Sequence, residues 1–322
     1  MSKKYKRILS ITTVSVLLAV FFWYINTNWD NFQQISLTNP WLLLPVILFI
    51  ALNIYTMGYL IELAIEPHGV KLSKKEIFGL SALTRFSKQV TPGYIGLTVR
   101  AFYLKKSYGV SYAKFSSSLV LSNILQFVMS GLLAILIFTS LHSQPGAYSL
   151  PMLLIIIAVS LFLTTLYAPL SKLIGGLIRL HNKHSYKVLE RLHAAAEEYD
   201  KVRKHPKFIY RSAFWALITL VTTGVNLFLL YRVLGFEIGI AQSLFIAALS
   251  SWTMIFSITP AGIGVKESLM ALGATLMQVP VPITLTVAIL NRLLTFLLVS
   301  ALSGYFAPAL LNTSLTKISR FK

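Results

Sequence analysis

Six stretches of this chain, 8–25, 41–63, 115–139, 150–174, 208–231 and 282–311, are apolar over roughly the 20 residues a helix needs to cross the bilayer core. Inside hydrocarbon every backbone N–H and C=O must find its partner within the protein, which leaves a helix as the form these runs can take. The expected fold class is therefore all-α, a polytopic membrane helix bundle. Composition agrees: 56% of residues are hydrophobic and only 12% charged, about half the charge of a soluble domain. The chain has no cysteine, which removes disulfide and thiolate-metal chemistry.

The first run follows Lys3, Lys4, Lys6 and Arg7, as in a secretory signal, but Asn26, Thr27, Asn28 and Trp29 follow it in place of a small-residue cleavage site. An uncleaved first span is the expectation. Lysine and arginine then fix the orientation. With the N-terminus in the cytoplasm, the inside segments 1–7, 71–114, 172–211 and 317–322 hold 26 of the 29 basic residues. The outside connections 26–40, 140–149 and 232–241 hold only Arg232. Both termini are thus expected in the cytoplasm of a bacterial-type cell membrane. The net charge of +19 reflects topology and requires no nucleic acid.

Two further segments, 76–99 and 242–278, are apolar but irregular. Each carries the string Thr-Pro-x-x-Ile-Gly, at Thr91-Pro92-Gly93-Tyr94-Ile95-Gly96 and at Thr259-Pro260-Ala261-Gly262-Ile263-Gly264. Proline and paired glycines break helices. Lysines flank 76–99 on both sides, so it should enter and return as a re-entrant hairpin with its break at Thr91, Pro92 and Gly93. Segment 242–278 should do the same from the opposite face, with its break at Thr259, Pro260 and Gly262. Three full spans separate the hairpins, and an odd number inverts them. Four identities in six residues arise by chance in a chain this biased; the shared context carries the argument. Inverted halves with discontinuous helices at the midplane are a transporter architecture. The division expected is half 1 over 1–174, a cytoplasmic amphipathic connector over 175–207, and half 2 over 208–322.

In the connector, Val188, Leu192, Ala195, Tyr199 and Val202 fall at helical spacing, and Glu197 and Lys201 are placed as a surface pair. Lys183, Lys187 and Arg191 suit anionic headgroups; a plain solvated linker is the alternative. His181 and His184 lack a third ligand, and no nucleotide, dinucleotide or hydrolase motif is present. No metal, no cofactor and no catalytic residue are expected, and no direct nucleic-acid partner.

The run from Val90 to Val110 contains a Pro-Gly turn, Arg100 and an aromatic-Leu-basic stretch at Tyr103, Leu104, Lys105 and Lys106. It resembles the first signature of the transmembrane region of lysylphosphatidylglycerol synthases, also called flippase-like membrane proteins. The run from Thr259 to Glu267 is similar to the second signature, a Pro-Gly-Gly-x-Gly-x-basic-Glu pattern. Tyr94 stands where that family often has a basic residue, and Ala261 replaces the first glycine of the second signature. The resemblance implies a membrane domain that moves an anionic or aminoacylated phospholipid, such as lysyl-phosphatidylglycerol, between leaflets. It also implies a role in resistance to cationic antimicrobial peptides, and a separate soluble lipid aminoacyltransferase as partner. These residues hold no soluble domain for lysyl transfer, so the alternative is the membrane part of a lysyl-tRNA-dependent phosphatidylglycerol lysyltransferase. A non-transporting envelope scaffold is a third reading.

The candidate substrate-binding residues are Arg100, Lys266, Glu267, Arg292, Arg85 and Lys88. Arg100 suits bidentate phosphate contacts, with a positive-inside anchor as its alternative. Arg85 and Lys88 have the alternative of holding the hairpin mouth at the interface. Lys266, Glu267 and Arg292 fall within apolar sequence, where charge is costly and marks an interior or a pairing. An ion pair of Glu267 with Arg292 is expected, leaving Lys266 for an anionic headgroup. Gly93, Gly96, Gly262 and Gly264 should serve tight turns and close helix approach.

Overall fold

The computed structural model describes residues 36–90, 95–141, 150–167, 171–172, 186–254 and 262–319. Among them every regular element is helical. In chain order the α-helices are α1 (Leu43–Ile65), α2 (Lys74–Val90), α3 (Ile95–Tyr108), α4 (Tyr112–Leu141), α5 (Leu150–Tyr167), α6 (Tyr186–Val202), α7 (Pro206–Val233), α8 (Ile240–Ser251), α9 (Val265–Leu276) and α10 (Val281–Ser319). Single 3-10 turns sit at Pro40–Leu42, Glu66–His68 and Trp252–Met254. Four stretches, Pro40–His68, Tyr112–Leu141, Pro206–Val233 and Val281–Ala307, are long and apolar enough to cross a membrane. They coincide with four of the expected spans. The run 8–25 and the breaks at Thr91, Pro92, Gly93, Thr259 and Pro260 lie outside the described residues.

Lipid is the outer solvent of this fold. Leu44, Leu48, Leu136, Ile157, Leu161, Leu293 and Leu297 are all more than half exposed, which would be costly in water and is favourable against acyl chains. Burial is reserved for the helix-facing sides, where Val46, Ile50, Ile54, Phe127, Leu227, Phe245 and Val287 join one core.

The irregular segments are both antiparallel helix pairs. In the first, Glu76 near the start of α2 accepts hydrogen bonds from Tyr103 and Tyr108 at the end of α3, each 2.7 Å, and Ser81 faces Arg100. In the second, Gln242 on α8 donates to the carbonyl of Met277 just past α9, 3.0 Å, and Gly273 packs on Ile246. In each pair the two helices run antiparallel on either side of the Thr-Pro-x-x-Ile-Gly string.

The packing has a regular pattern. The strongest pairing joins α1 to α7, the spans that precede the two hairpins. Each hairpin rests on its own preceding span, α2 on α1 and α8 on α7, at a glycine. A Cβ on Gly58 would lie 2.6 Å from the Ile77 carbonyl, and one on Gly224 would collide with Leu244. Small residues admit such crossings where lipid supplies no hydrophobic drive. Each hairpin's first helix also packs on the span that follows the other hairpin, α2 on α10 and α8 on α4. The hairpins are thereby interlocked around the α1–α7 centre.

The connector differs in part from expectation. α6 packs on α4 with Tyr199 and Val202 buried among Leu63, Leu121 and Leu125, while Leu192 is half exposed. Its seam is centred on Ala196, Tyr199 and Val202. Lys201 pairs with Glu198 at 2.9 Å, not with Glu197, which instead faces His193 at 3.5 Å. That lysine holds the Glu198 carboxyl below the usual carboxylate range.

Candidate anion site between the two hairpins

A cationic residue low in the dielectric must be solvated, paired or supplied with a ligand. The interior holds two neighbouring charged groups: Arg85, Lys88 and Arg100 on one cavity, and Lys266, Glu267 and Arg292 outside its lining. Arg85, Lys88 and Arg100 repel one another, and Lys266 lies within Coulombic reach of Arg85 and Arg292.

Arg85 is near the inner end of α2. Its Nη2 donates 2.5 Å to the side-chain oxygen of Asn53 in the middle of α1. Asn53 is fixed in turn by α7, donating 2.8 Å to Thr223 and 3.2 Å to the Thr219 carbonyl. Arg100, 2% exposed in the middle of α3, donates 3.0 Å from Nη2 to Ser81. Its Nε and Nη1 are buried with no hydrogen-bond partner among the described residues. Arg85, Lys88 and Arg100 line a cavity of about 100 Å³ with Asn123 and Gln126 of α4 and Met254 beside the second break. The cavity surface is mainly apolar, from Met57, Leu60, Ile61, Leu97 and Leu119, with the polar groups set into it, and that volume admits water or a small headgroup.

On the second hairpin, Gly262 and Gly264 adopt φ of 65° and 83°, left-handed backbone open mainly to glycine. The chain then enters α9, where Glu267 Oε2 accepts from the Gly264 N–H at 2.8 Å. Glu267 Oε1 accepts from Arg292 at 2.5 Å. The expected Glu267–Arg292 pair is present. With both its oxygens engaged, Glu267 leaves the Lys266 charge for something else. Gly96 lies in the first turn of α3.

Within the helix pair, Arg85 and Lys88 are far from the hairpin mouth. They lie at the inner end of α2, on the level of mid-span Asn53. The hairpin mouth is held by a different set: Glu76 accepts from the Ser73 N–H at 2.9 Å, the Ser73 hydroxyl at 2.7 Å and the two tyrosines. Sequence reasoning passed over Asn53, Ser81 and this clasp. A lone asparagine in an apolar span was a signal for the first, and Ser73-x-x-Glu76 is a capping-box pattern. Nothing local marks Ser81. Among the described residues no group of three metal-ligating side chains forms.

The family model described as the lysylphosphatidylglycerol synthase TM region matches residues 7–303. The chain belongs to that family. Neither the curated proteins nor the solved structures give a match. Membership of this membrane family links the chain to lysyl-phosphatidylglycerol synthesis or flipping, and the match spans both hairpins and every span between them.

Proposed function

We propose that this protein translocates a phospholipid between leaflets, with the headgroup phosphate held at mid-membrane by Arg100 and Lys266 and screened by Arg85 and Lys88. The observation that carries the reading is Arg100, whose Nε and Nη1 are buried with no hydrogen-bond partner among the described residues, on the wall of a cavity. A guanidinium left so costs several kcal/mol, and a phosphate offers the bidentate acceptor that would offset it. The half-helices α3 and α9 both begin just after a break, so their N-terminal dipoles add positive potential there. The two halves are read as inverted repeats, a view supported by the exchange of partners between α2–α10 and α8–α4. Alternating access would rock one hairpin against the other around the site.

Both termini are assigned to the cytoplasm, on the lysine and arginine bias. The chain's lack of cysteine makes single-cysteine mapping clean: Ser143→Cys should react with an impermeant maleimide from outside, and Ser185→Cys should not. For transport, the protein in vesicles should speed the flipping of fluorescent phosphatidylglycerol well above empty vesicles; no acceleration would sink the proposal. The family's link to a synthase supports a second reading, the membrane part of a lysyltransferase system. Gene deletion separates the two: total lysyl lipid falls for a synthase part and is unchanged for a phospholipid flippase.

A further inference from the structure

Resting on the translocation reading, we infer that this chain selects a phosphate headgroup without amines, a net-anionic lipid of the phosphatidylglycerol class, and rejects the aminoacylated form. The argument is one of charge. A lysyl-phosphatidylglycerol headgroup carries one phosphodiester anion and two ammonium groups, both largely protonated at neutral pH. A site for it must stabilise both signs. The cavity, enclosed by α1, α2, α3 and α4 with Met254, supplies only one: its ionisable lining is Arg85, Lys88 and Arg100, and none of its lining residues is acidic.

Other acids do not remedy this. Among the described residues, Glu267 is the carboxylate beside the cluster, and both its oxygens are taken, by Arg292 and the Gly264 N–H; Glu62, next to Ile61 on α1, is outside the cavity lining and engages Leu72, Lys71 and Arg211. Glu76 is saturated by Ser73, Tyr103 and Tyr108 at the mouth, and Glu66 is bound by Arg211. The strings that break the hairpins, 91–94 and 255–261, contain no acid in their sequence. Helix ends do not substitute for carboxylates. The C-termini of α2 and α8 carry about half a negative charge each, but each lies beside the start of α3 or α9 with the opposite sign. Two ammoniums brought here would face three fixed cations at short range. A phosphodiester with hydroxyls meets complementary partners instead, the cations for its charge and Asn123 and Gln126 for its hydroxyls.

The test places fluorescent phosphatidylglycerol and fluorescent lysyl-phosphatidylglycerol in separate vesicles with the same protein. Phosphatidylglycerol should flip at least about tenfold faster, equivalent to about 1.4 kcal/mol of discrimination. Equal or faster movement of the lysyl lipid would overturn the inference while leaving translocation standing. If neither lipid moves, the translocation reading fails, and native mass spectrometry of the detergent-solubilised protein still decides the preference: more bound phosphatidylglycerol supports it, and equal binding overturns it. Lys88→Glu, which gives the cavity the missing acid, should slow phosphatidylglycerol and shift the ratio toward the lysyl lipid; an unchanged ratio counts against the proposal. Vesicle uptake of soluble glycerol phosphate at a rate matching lipid flipping would assign the site to a free phosphate and overturn the lipid specificity.

Discussion

The two hairpins share a fold and a break string but differ in charge. The first, α2–α3, puts Arg85, Lys88 and Arg100 on a cavity, with the Nε and Nη1 of Arg100 unpartnered among the described residues. The second, α8–α9, is built mostly of buried apolar residues from Phe245 to Leu249, and its one acid is spent on Arg292 and its own helix start. On the proposed reading, the first hairpin binds the anion, and the second holds its shape and offers a single lysine. Two similar hairpins would then do two jobs, and the variants that separate them should act on different readouts.

The largest effect is expected at Arg100. Arg100→Gln removes the buried guanidinium and should lower lipid flipping about 100-fold or more, equivalent to about 3 kcal/mol, with thermal stability unchanged or raised because an unpaired charge is gone. Arg100→Lys, which keeps the charge but loses the fork, should recover part of the rate. Next is Glu267→Gln. Breaking this ion pair leaves Arg292 without its counter-charge, at a cost of about 3–5 kcal/mol in stability, read as a lowered melting temperature in detergent. Glu267→Gln combined with Arg292→Met should restore much of it, whereas no such rescue exists for Arg100. Gly58→Ala comes third: it forces α2 off α1 at Ile77 and Ser81 and should cost about 1–3 kcal/mol, with flipping reduced through the displaced Ser81. Tyr103→Phe removes one of four hydrogen bonds to Glu76 and should cost about 1 kcal/mol. The smallest effect is Arg211→Ala. Its pair with Glu66 is 44% and 36% exposed, and surface pairs contribute about 0–1 kcal/mol.

The spans were legible because hydrocarbon thickness imposes a length and a composition that local sequence must meet. The fold-back of α2–α3 and α8–α9 was legible for a related reason, since proline and glycine in apolar sequence leave few alternatives. The Glu267–Arg292 pair could be read because isolated charges in such sequence must find one another. What sequence did not show is the support around the cations. Ser81 holds Arg100 only because α2 and α3 fold antiparallel, and Asn53 holds Arg85 only because α7 locks its amide through Thr219 and Thr223. Those contacts depend on how helices dock, and no local pattern encodes docking. The same ambiguity left the mouth open as an alternative for Arg85 and Lys88: position along a helix is readable, but which end of the hairpin lies deep is a tertiary fact.

The central claim is that a phospholipid headgroup occupies the cavity between the hairpins. A phosphatidylglycerol bearing a photoreactive group on its headgroup tests this directly, with adducts mapped by peptide mass spectrometry. Adducts on α2, α3 and α4 near Lys88, Leu97 and Gln126, lost in Arg100→Gln, are the predicted result. Adducts confined to the lipid-facing belt around Leu48, Leu136 and Leu297, unchanged by Arg100→Gln, would contradict it.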